Sequence, residues 1–224
     1  MKKWTTVDQS LTPDGKPISL HEHDGSYSIK IDNVPLMSTR QHASEERLAD
    51  LACARLRGVS GARVLIGGLG FGFTLKSALA LLAKDAQVVV AEIVGAVIEW
   101  NRNAALPLAA SALADPRVTV VQRDIGEIIR EACGTFDAII MDVDNGPAAL
   151  STGSNARLYD YAGLRATRTA LSPKGVVAYW SVAPDAAFER LLAQSGFAVD
   201  VQHCHAHGKS GRRHTLLIAK IAPW

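Results

Sequence analysis

Short apolar runs alternate with helical patterns along most of the chain. Five runs rich in Val, Ile, Leu and Ala have the length of buried strands, and after each run apolar residues recur every three or four positions. The predicted strands cover residues 64–66, 87–92, 118–121, 136–141 and 176–180, and the predicted helices cover residues 74–84, 95–103, 126–132, 158–171 and 184–194. This alternation predicts a parallel sheet with helices on both faces.

The end of the chain breaks this alternation. Residues 197–205 and 215–221 are both strand-like, and a polar turn separates them instead of a helix. Two such neighbouring strands predict an antiparallel hairpin. The predicted fold class is therefore α/β, a Rossmann-like, doubly wound, mostly parallel seven-stranded sheet that closes with a C-terminal antiparallel hairpin.

A different pattern precedes the first strand–helix unit. Residues 1–16 are mostly polar, which predicts a loosely ordered lead-in. Between residues 18 and 31, apolar and polar residues alternate around Asp24-Gly25, which predicts a small β-hairpin unit. A helix follows, capped by Ser44 and ended by Gly58. We expect two units, with the lead-in and hairpin in residues 1–40 and the Rossmann-like domain in residues 41–224.

Composition narrows the class of protein without naming a ligand. The 224-residue chain is 48% hydrophobic and 21% charged, which is ordinary for a soluble globular protein, and its net charge of +2 gives no field typical of nucleic-acid or membrane binding. Three cysteines form no disulfide framework, and the basic N-terminal residues lack the apolar run of a secretory signal. We therefore expect a cytoplasmic protein, and an apolar helix surface is compatible with a homodimer.

Four glycines lie between the first predicted strand and its helix. Gly67, Gly68, Gly70 and Gly72 directly follow the apolar run, in the order that brings a backbone close to a ligand. A nicotinamide dinucleotide requires Gly-x-Gly-x-x-Gly, whereas the third glycine of the motif comes one residue early here. The spacing favours an adenosyl-sulfonium ligand, with NAD as the alternative.

Acidic residues end the strands that follow. Glu92, Asp124 and Asp142 lie at the ends of the second, third and fourth strands, and Asp144 comes two residues later. In an open α/β sheet these ends meet at the ligand crevice. Glu92 is predicted to accept hydrogen bonds from both ribose hydroxyls, and Asp124 to accept one from the exocyclic amine of adenine. Asp142 and Asp144 are predicted to lie over the reacting end of the ligand. The residues predicted to bind the adenosyl-sulfonium ligand are Gly67, Gly68, Gly70, Gly72, Glu92, Ile93, Asp124 and Ile125.

Several stretches in this order resemble the spermidine synthase family, the polyamine aminopropyltransferases. The glycine loop and Thr74-Leu-Lys76 resemble that family's Gly-Gly-Gly-Asp-Gly-Gly-Thr-Leu-Arg. The segment from Phe136 to Pro147 resembles its Tyr-Asp-Val-Ile-Ile-x-Asp-x-x-Asp-Pro-x-Gly-Pro. The similarity includes Leu158-Tyr159 and covers most of residues 20–195.

The resemblance implies transfer of an aminopropyl group from decarboxylated S-adenosylmethionine to an amine acceptor. In the family an Asp after the fourth strand is the base for the attacking nitrogen. Asp142 matches the first acid of that loop, and Asp144 approximates the second. Gly70 stands where the family has an Asp, so the expected donor is S-adenosylmethionine or its decarboxylated form. The expected partners are this small-molecule donor and the amine, with neither nucleic acid nor membrane.

Three alternatives stay open at this point. A methyltransferase that uses ordinary S-adenosylmethionine needs the same fold and the same nucleoside pocket. A nucleoside-binding protein without turnover would also retain the glycine loop. Arg212 and Arg213 in the polar turn leave an anionic acceptor as a further alternative.

The histidines near the C-terminus are a second candidate for chemistry. His203, His205 and His207 recur at every second position, so on a strand they share one face, with Cys204 opposite. His214 is expected to face them across the turn. Three imidazoles can bind zinc, but this spacing is not that of the usual structural zinc sites, so no metal is predicted.

Overall fold

The computed structural model describes residues 4–143, 155–205 and 213–222, which form helices and two β-sheets. The first sheet is antiparallel, with four strands in the order β1-β2-β3-β4. Its strands are β1 (Thr5–Leu11), β2 (Pro17–His23), β3 (Ser26–Ile31) and β4 (Val34–Ser38).

The second sheet has seven strands in the order β10-β11-β9-β8-β5-β6-β7. They are β5 (Arg63–Gly67), β6 (Gln87–Ala91), β7 (Val118–Val121), β8 (Phe136–Met141), β9 (Leu171–Ser181), β10 (Phe197–His205) and β11 (Arg213–Ile221). Strand β11 runs antiparallel to β9 and β10, and the other neighbouring pairs are parallel. The predicted α/β class, with its mostly parallel sheet and C-terminal antiparallel hairpin, is confirmed.

Helices connect the parallel strands. They are α1 (Ala43–Cys53), α2 (Phe73–Leu81), α3 (Gly95–Arg102), α4 (Ala110–Leu113), α5 (Ile125–Glu131), α6 (Ala156–Tyr159), α7 (Tyr161–Ala170) and α8 (Ala186–Gln194), with a short 3₁₀ turn at Ala54–Leu56. Among the described residues, none of these helices has both the length and the apolar character needed to cross a membrane.

Several helix boundaries differ from the prediction, and two of the differences concern capping residues. The helix expected over residues 158–171 is divided, because Asp160 accepts a hydrogen bond from the Gly163 N–H at 2.8 Å and caps a new helix. Ser44 does not cap α1. His42 precedes that helix, and the Ser44 hydroxyl donates to the neighbouring Glu45 carboxylate at 2.6 Å.

The N-terminal sheet is larger than the predicted hairpin. The turn at Asp24-Gly25 is confirmed between β2 and β3. Residues 5–11, expected in a loosely ordered lead-in, form β1 instead. Every residue of β1 is exposed, so no alternation of apolar and polar residues marks this strand, and backbone pairing with β2 holds it in place. The boundary at residue 40 stays a prediction.

Two hydrophobic clusters lie on opposite faces of the central sheet. Along β5, Val64 and Ile66 join one cluster and Leu65 joins the other, as the alternation of a strand requires. Ile18 and Leu20 of β2 belong to the first cluster, so the N-terminal sheet packs onto the main domain. This packing places residues of β2, β3 and β4 along one wall of a cleft at the carboxyl ends of the central strands.

Candidate functional site

The order of the central sheet reverses between β5 and β8. Ligands of open α/β sheets bind at such a point, beyond the carboxyl ends of the strands. A cleft of about 140 Å³ lies there. Its lining includes Gly68, Gly70, Glu92, Ile93, Asp124, Ile125 and Asp142 from the Rossmann-like domain, and Ile18, Ile29, Ile31, Leu36 and Met37 from the N-terminal sheet. Most of the predicted site residues therefore meet in one cleft.

The other predicted residues are not placed in this lining. Gly67 packs behind it, since a Cβ there would overlap the Ile125 side chain. Gly72 precedes α2, and a Cβ there would lie 2.5 Å from the Ala109 Cβ. Both glycines shape the loop through packing, away from the cleft surface. Asp144 lies outside the described residues, and its role stays a prediction.

The glycine loop passes close to two other segments. Gly68 has a φ of +84°, and a Cβ there would overlap the Asp142 carbonyl oxygen. Gly70 has a φ of +50°, and its Cβ would lie 2.8 Å from the Met37 Cε. The Gly70 carbonyl accepts a hydrogen bond from Asn101 Nδ2 at 2.8 Å. A side chain at either glycine would therefore displace a wall of the cleft.

Glu92 both lines the cleft and fixes the loop. It is 8% exposed, and its two carboxylate oxygens accept hydrogen bonds from the backbone N–H groups of Leu69 at 2.9 Å and Val94 at 2.8 Å. The residue predicted to bind ribose hydroxyls is thus held rigidly at the end of β6.

Asp124 and the two isoleucines, Ile93 and Ile125, also line the cleft. Asp124 Oδ1 accepts a hydrogen bond from the Gly126 N–H at 2.6 Å and so caps α5. Ile125 is buried beside it, while Ile93 is 44% exposed. A lining that combines apolar side chains with carboxylates is suited to a planar base that carries polar groups on its edge.

Asp142 lies directly after β8, at the boundary between the cleft and a smaller inner cavity. Its Oδ2 accepts a hydrogen bond from the Thr74 hydroxyl at 2.6 Å, and its N–H donates to the Gly67 carbonyl at 3.0 Å. Burial raises the pKa of the Asp142 carboxyl, and the bond from Thr74 opposes that shift. A carboxylate with a raised pKa in a cleft is a candidate proton acceptor.

Glu45 is the acid that the sequence pattern did not reveal. Its position in the first turn of α1 is by itself accounted for by a favourable interaction with the helix dipole. Packing of α1 against α2 instead places Glu45 in the inner cavity, together with Asp142 and Gly70. Burial, and then the charge of Asp142, raise the pKa of Glu45. The two carboxylates come from segments far apart in sequence, so no local motif joins them.

Neutralising Asp142 should stabilise the fold at high pH. The pKa values are raised to about 6 for Asp142 and about 7 for Glu45, so between pH 4 and 7 the folded chain binds more protons than the unfolded chain. The contribution of these two groups to the free energy of unfolding therefore falls as the pH rises through that window. In urea unfolding, we expect Asp142→Asn to gain on the order of 2 kcal/mol over the wild type at pH 8 and almost nothing at pH 4. An equal gain in the free energy of unfolding at both pH values would contradict the raised pKa assigned to Asp142.

The histidines of the C-terminal hairpin do not form the predicted cluster. Cys204 pairs with His214 across the hairpin, so both point to the same face, while His203 and His205 point to the other. The expectation that His214 faces the other histidines is therefore wrong, because the register was not known. His207 lies outside the described residues. Within the parts of the chain that the structure describes, no three His, Cys, Asp or Glu side chains are placed to hold a metal.

The sequence of the chain also matches the model of a known protein family. The model of the spermine/spermidine synthase domain matches residues 41–191, which is more than half of the chain. The chain belongs to the spermine/spermidine synthase family. The matched segment contains the glycine loop, Glu92, Asp124, Asp142 and Glu45. The predicted resemblance is confirmed, and so is the predicted enzyme class, a transferase of the aminopropyltransferase type.

Solved structures extend the likeness of this family member to nearly the whole fold. The spermidine synthase from Thermotoga maritima has a TM-score of 0.76 at 21% identity, over 97% of this chain and 73% of that chain. A spermidine synthase in complex with the transition-state analogue AdoDATO has a TM-score of 0.80 at 20% identity, over 97% and 74%. A probable spermidine synthase from Corynebacterium glutamicum has a TM-score of 0.65 at 16% identity, over 100% and 82%. No curated protein matches the chain in sequence.

Proposed function

We propose that this family member transfers the aminopropyl group of decarboxylated S-adenosylmethionine to a small amine acceptor, with Asp142 as the base. The position of Asp142 carries the proposal, because this carboxylate lies where the cleft meets the inner cavity. A donor whose nucleoside fills the cleft and whose tail enters the inner cavity has its reacting carbon at that boundary. Asp144 is proposed as the second acid of the same loop.

The lining of the cleft supports binding of an adenosyl group. In this proposal the Glu92 carboxylate, which two backbone N–H groups hold in position, accepts hydrogen bonds from the ribose hydroxyls. Ile93 and Ile125 offer apolar surface for the adenine ring, and Asp124 an acceptor for its amino group. Gly68 and Gly70 allow the backbone to approach the sulfonium centre. The family's donor class therefore fits the residues present.

The chemistry requires a proton acceptor beside the reacting carbon. The lone pair of the acceptor nitrogen forms the new C–N bond while the C–S bond breaks and its electron pair stays on sulfur. The sulfonium becomes the neutral thioether of methylthioadenosine, and the proton released by nitrogen passes to Asp142. Glu92 contributes by fixing the nucleoside, so that the nitrogen can approach in line with the departing sulfur. The raised pKa of Asp142 brings its basicity closer to that required near neutral pH.

Ligand binding tests the proposal before any acceptor is known. We expect methylthioadenosine and decarboxylated S-adenosylmethionine to raise the thermal midpoint of the wild type, and NAD to leave it unchanged. A ligand at 100 times its dissociation constant stabilises the folded state by about 2.7 kcal/mol, which is a measurable shift. Incubation of the decarboxylated donor with a panel of diamines and monoamines should then release methylthioadenosine, detected by mass spectrometry. Stabilisation by NAD alone would refute the donor class.

A methyltransferase is the second candidate, because the loop has no acidic side chain at Gly70. The two reactions leave different products from the same nucleoside. Aminopropyl transfer releases methylthioadenosine, whereas methyl transfer from ordinary S-adenosylmethionine releases S-adenosylhomocysteine. Supplying each donor separately and identifying the nucleoside product decides between these two functions.

A further inference from the structure

The inner cavity has a lining that suits a positively charged group. It adjoins the main cleft at Met37, Gly70 and Asp142, which line both spaces. The remaining lining residues are Ser38, Glu45, Leu69, Phe71 and Phe73. All of these residues are described, and they include two carboxylates and no Lys, Arg or His. A cation that enters the cavity meets Glu45 and Asp142, and an anion meets like charge.

The glycine loop supplies no charge of its own to this cavity. A Cβ at Gly70 would lie 2.8 Å from the Met37 Cε and 3.0 Å from its sulfur, so Met37 occupies the space of a longer side chain. Any selection for the charge of a ligand in this cavity must therefore come from another element. Asp142, which follows β8, and Glu45 of helix α1 supply it.

A buried chain of hydrogen bonds holds Glu45 in place. The Ser44 hydroxyl donates its only hydrogen to Glu45 Oε2 at 2.6 Å. His214 Nδ1 lies 3.0 Å from the same hydroxyl oxygen, so this nitrogen is the donor in that pair. His214 is buried and packs edge-on against Trp180, with 4.6 Å between the ring centroids. In both hydrogen bonds the donated hydrogen is directed towards Glu45. The two bonds therefore favour the ionised form of the Glu45 carboxylate and fix the orientation of this side chain.

We propose that Glu45 determines donor specificity: it binds the ammonium group of the aminopropyl tail and disfavours a donor that retains its carboxylate. This inference rests on the proposed function, since it assigns the inner cavity to the tail of the same donor. Decarboxylated S-adenosylmethionine places only an ammonium in the cavity. Ordinary S-adenosylmethionine adds a carboxylate, which would be held beside Glu45 and Asp142. Methylthioadenosine has no charged tail and therefore places no charged group in the inner cavity.

These three compounds share the same thioadenosine group. The two donors differ from each other only in the carboxylate of the tail, whereas methylthioadenosine lacks both the charged tail and the positive charge on sulfur. Their dissociation constants are measured at pH 8 by calorimetry for the wild type and for Glu45→Gln. We expect Glu45→Gln to weaken binding of the decarboxylated donor roughly 10- to 100-fold, the loss of one hydrogen bond between charged groups. Binding of methylthioadenosine should stay unchanged. The preference of the wild type for the decarboxylated donor over S-adenosylmethionine should shrink by a similar factor.

The neighbouring Glu46 provides a matched control. It lies on the same helical turn but outside the cavity, where it pairs with His42 at 3.0 Å. Glu46→Gln should leave all three dissociation constants unchanged. Ser44→Ala keeps the Glu45 charge but removes its anchor, and should weaken only the decarboxylated donor, by a smaller factor. This variant also tests the inference if Glu45→Gln fails to fold.

The outcomes separate this inference from the function on which it rests. If methylthioadenosine binds to both proteins but Glu45→Gln binds the decarboxylated donor as tightly as the wild type does, Glu45 does not contact the tail. The inference then fails and the proposed function stands. If the wild type binds none of the three compounds, the proposed function fails as well.

Discussion

Asp142→Asn is expected to lower the turnover number for aminopropyl transfer roughly 10²- to 10⁴-fold, the usual contribution of a general base. Asparagine has nearly the same shape and still accepts the hydrogen bond from Thr74, so the wall of the cleft should be preserved. What is lost is the carboxylate that takes the proton from the attacking nitrogen. The affinity for methylthioadenosine should stay within twofold, because Glu92 and the glycine loop bind the nucleoside.

The measurement is the rate of methylthioadenosine release at saturating donor, compared over a range of pH. The wild-type rate should fall at acid pH as Asp142 becomes protonated, and the variant should lose that dependence. Asp200→Asn is a suitable control, since Asp200 is exposed on β10 and hydrogen bonds to Gln202. If Asp142→Asn turns over as fast as the control, Asp142 is not the base, and the role must pass to another group.

The same substitution should have opposite effects on activity and stability. Burial of Asp142 near Glu45 raises the pKa values of both groups, so the ionised pair is unfavourable for the folded state above pH 7. Asp142→Asn removes that repulsion and the reactive group together. A gain in stability with a loss of turnover is the combination expected of a functional group. A residue that serves only the fold would lose stability when changed.

Local sequence signals predicted the central sheet and the nucleoside part of the site. Buried strands and helices have distinct periods, and the glycine loop and Glu92 follow directly from the ends of two strands. In a parallel sheet the carboxyl ends of neighbouring strands lie together, so Asp124 and Asp142 could be assigned to the same cleft. These predictions needed only the order of elements along the chain.

The rest depended on contacts between distant parts of the chain. Strand β1 has no buried side, so only its pairing with β2 defines it. Glu45 enters the inner cavity because α1 packs on α2, a contact with no local signature. His214 points towards Ser44 because of the register of β10 and β11, and a shift of one residue would reverse its face. Each of these features follows from contacts between segments that are far apart in the chain. No local sequence pattern identifies the residues that make such contacts.

Gly68→Ala is expected to lower the free energy of unfolding by roughly 3–5 kcal/mol and to abolish measurable binding of methylthioadenosine. Two causes act together at this position. Its φ of +84° is strained for any residue with a Cβ, and that Cβ would overlap the Asp142 carbonyl oxygen. Both pieces of backbone must move apart. The neighbouring Leu69 N–H, which donates to Glu92 at 2.9 Å, moves with the loop, so the ribose acceptor is displaced.

Gly134→Ala separates the two causes. Gly134 has a φ of +58°, but a Cβ there meets no atom within 4 Å, so only the backbone strain is introduced, at about 1–2 kcal/mol. The free energy of unfolding is measured in urea, and nucleoside affinity by calorimetry. We expect Gly134→Ala to bind methylthioadenosine normally. Equal losses of stability in the two variants would show that the close approach of the loop to Asp142 does not constrain the fold. A larger loss at Gly68, together with loss of binding, would show that the loop and the candidate base form one rigid unit.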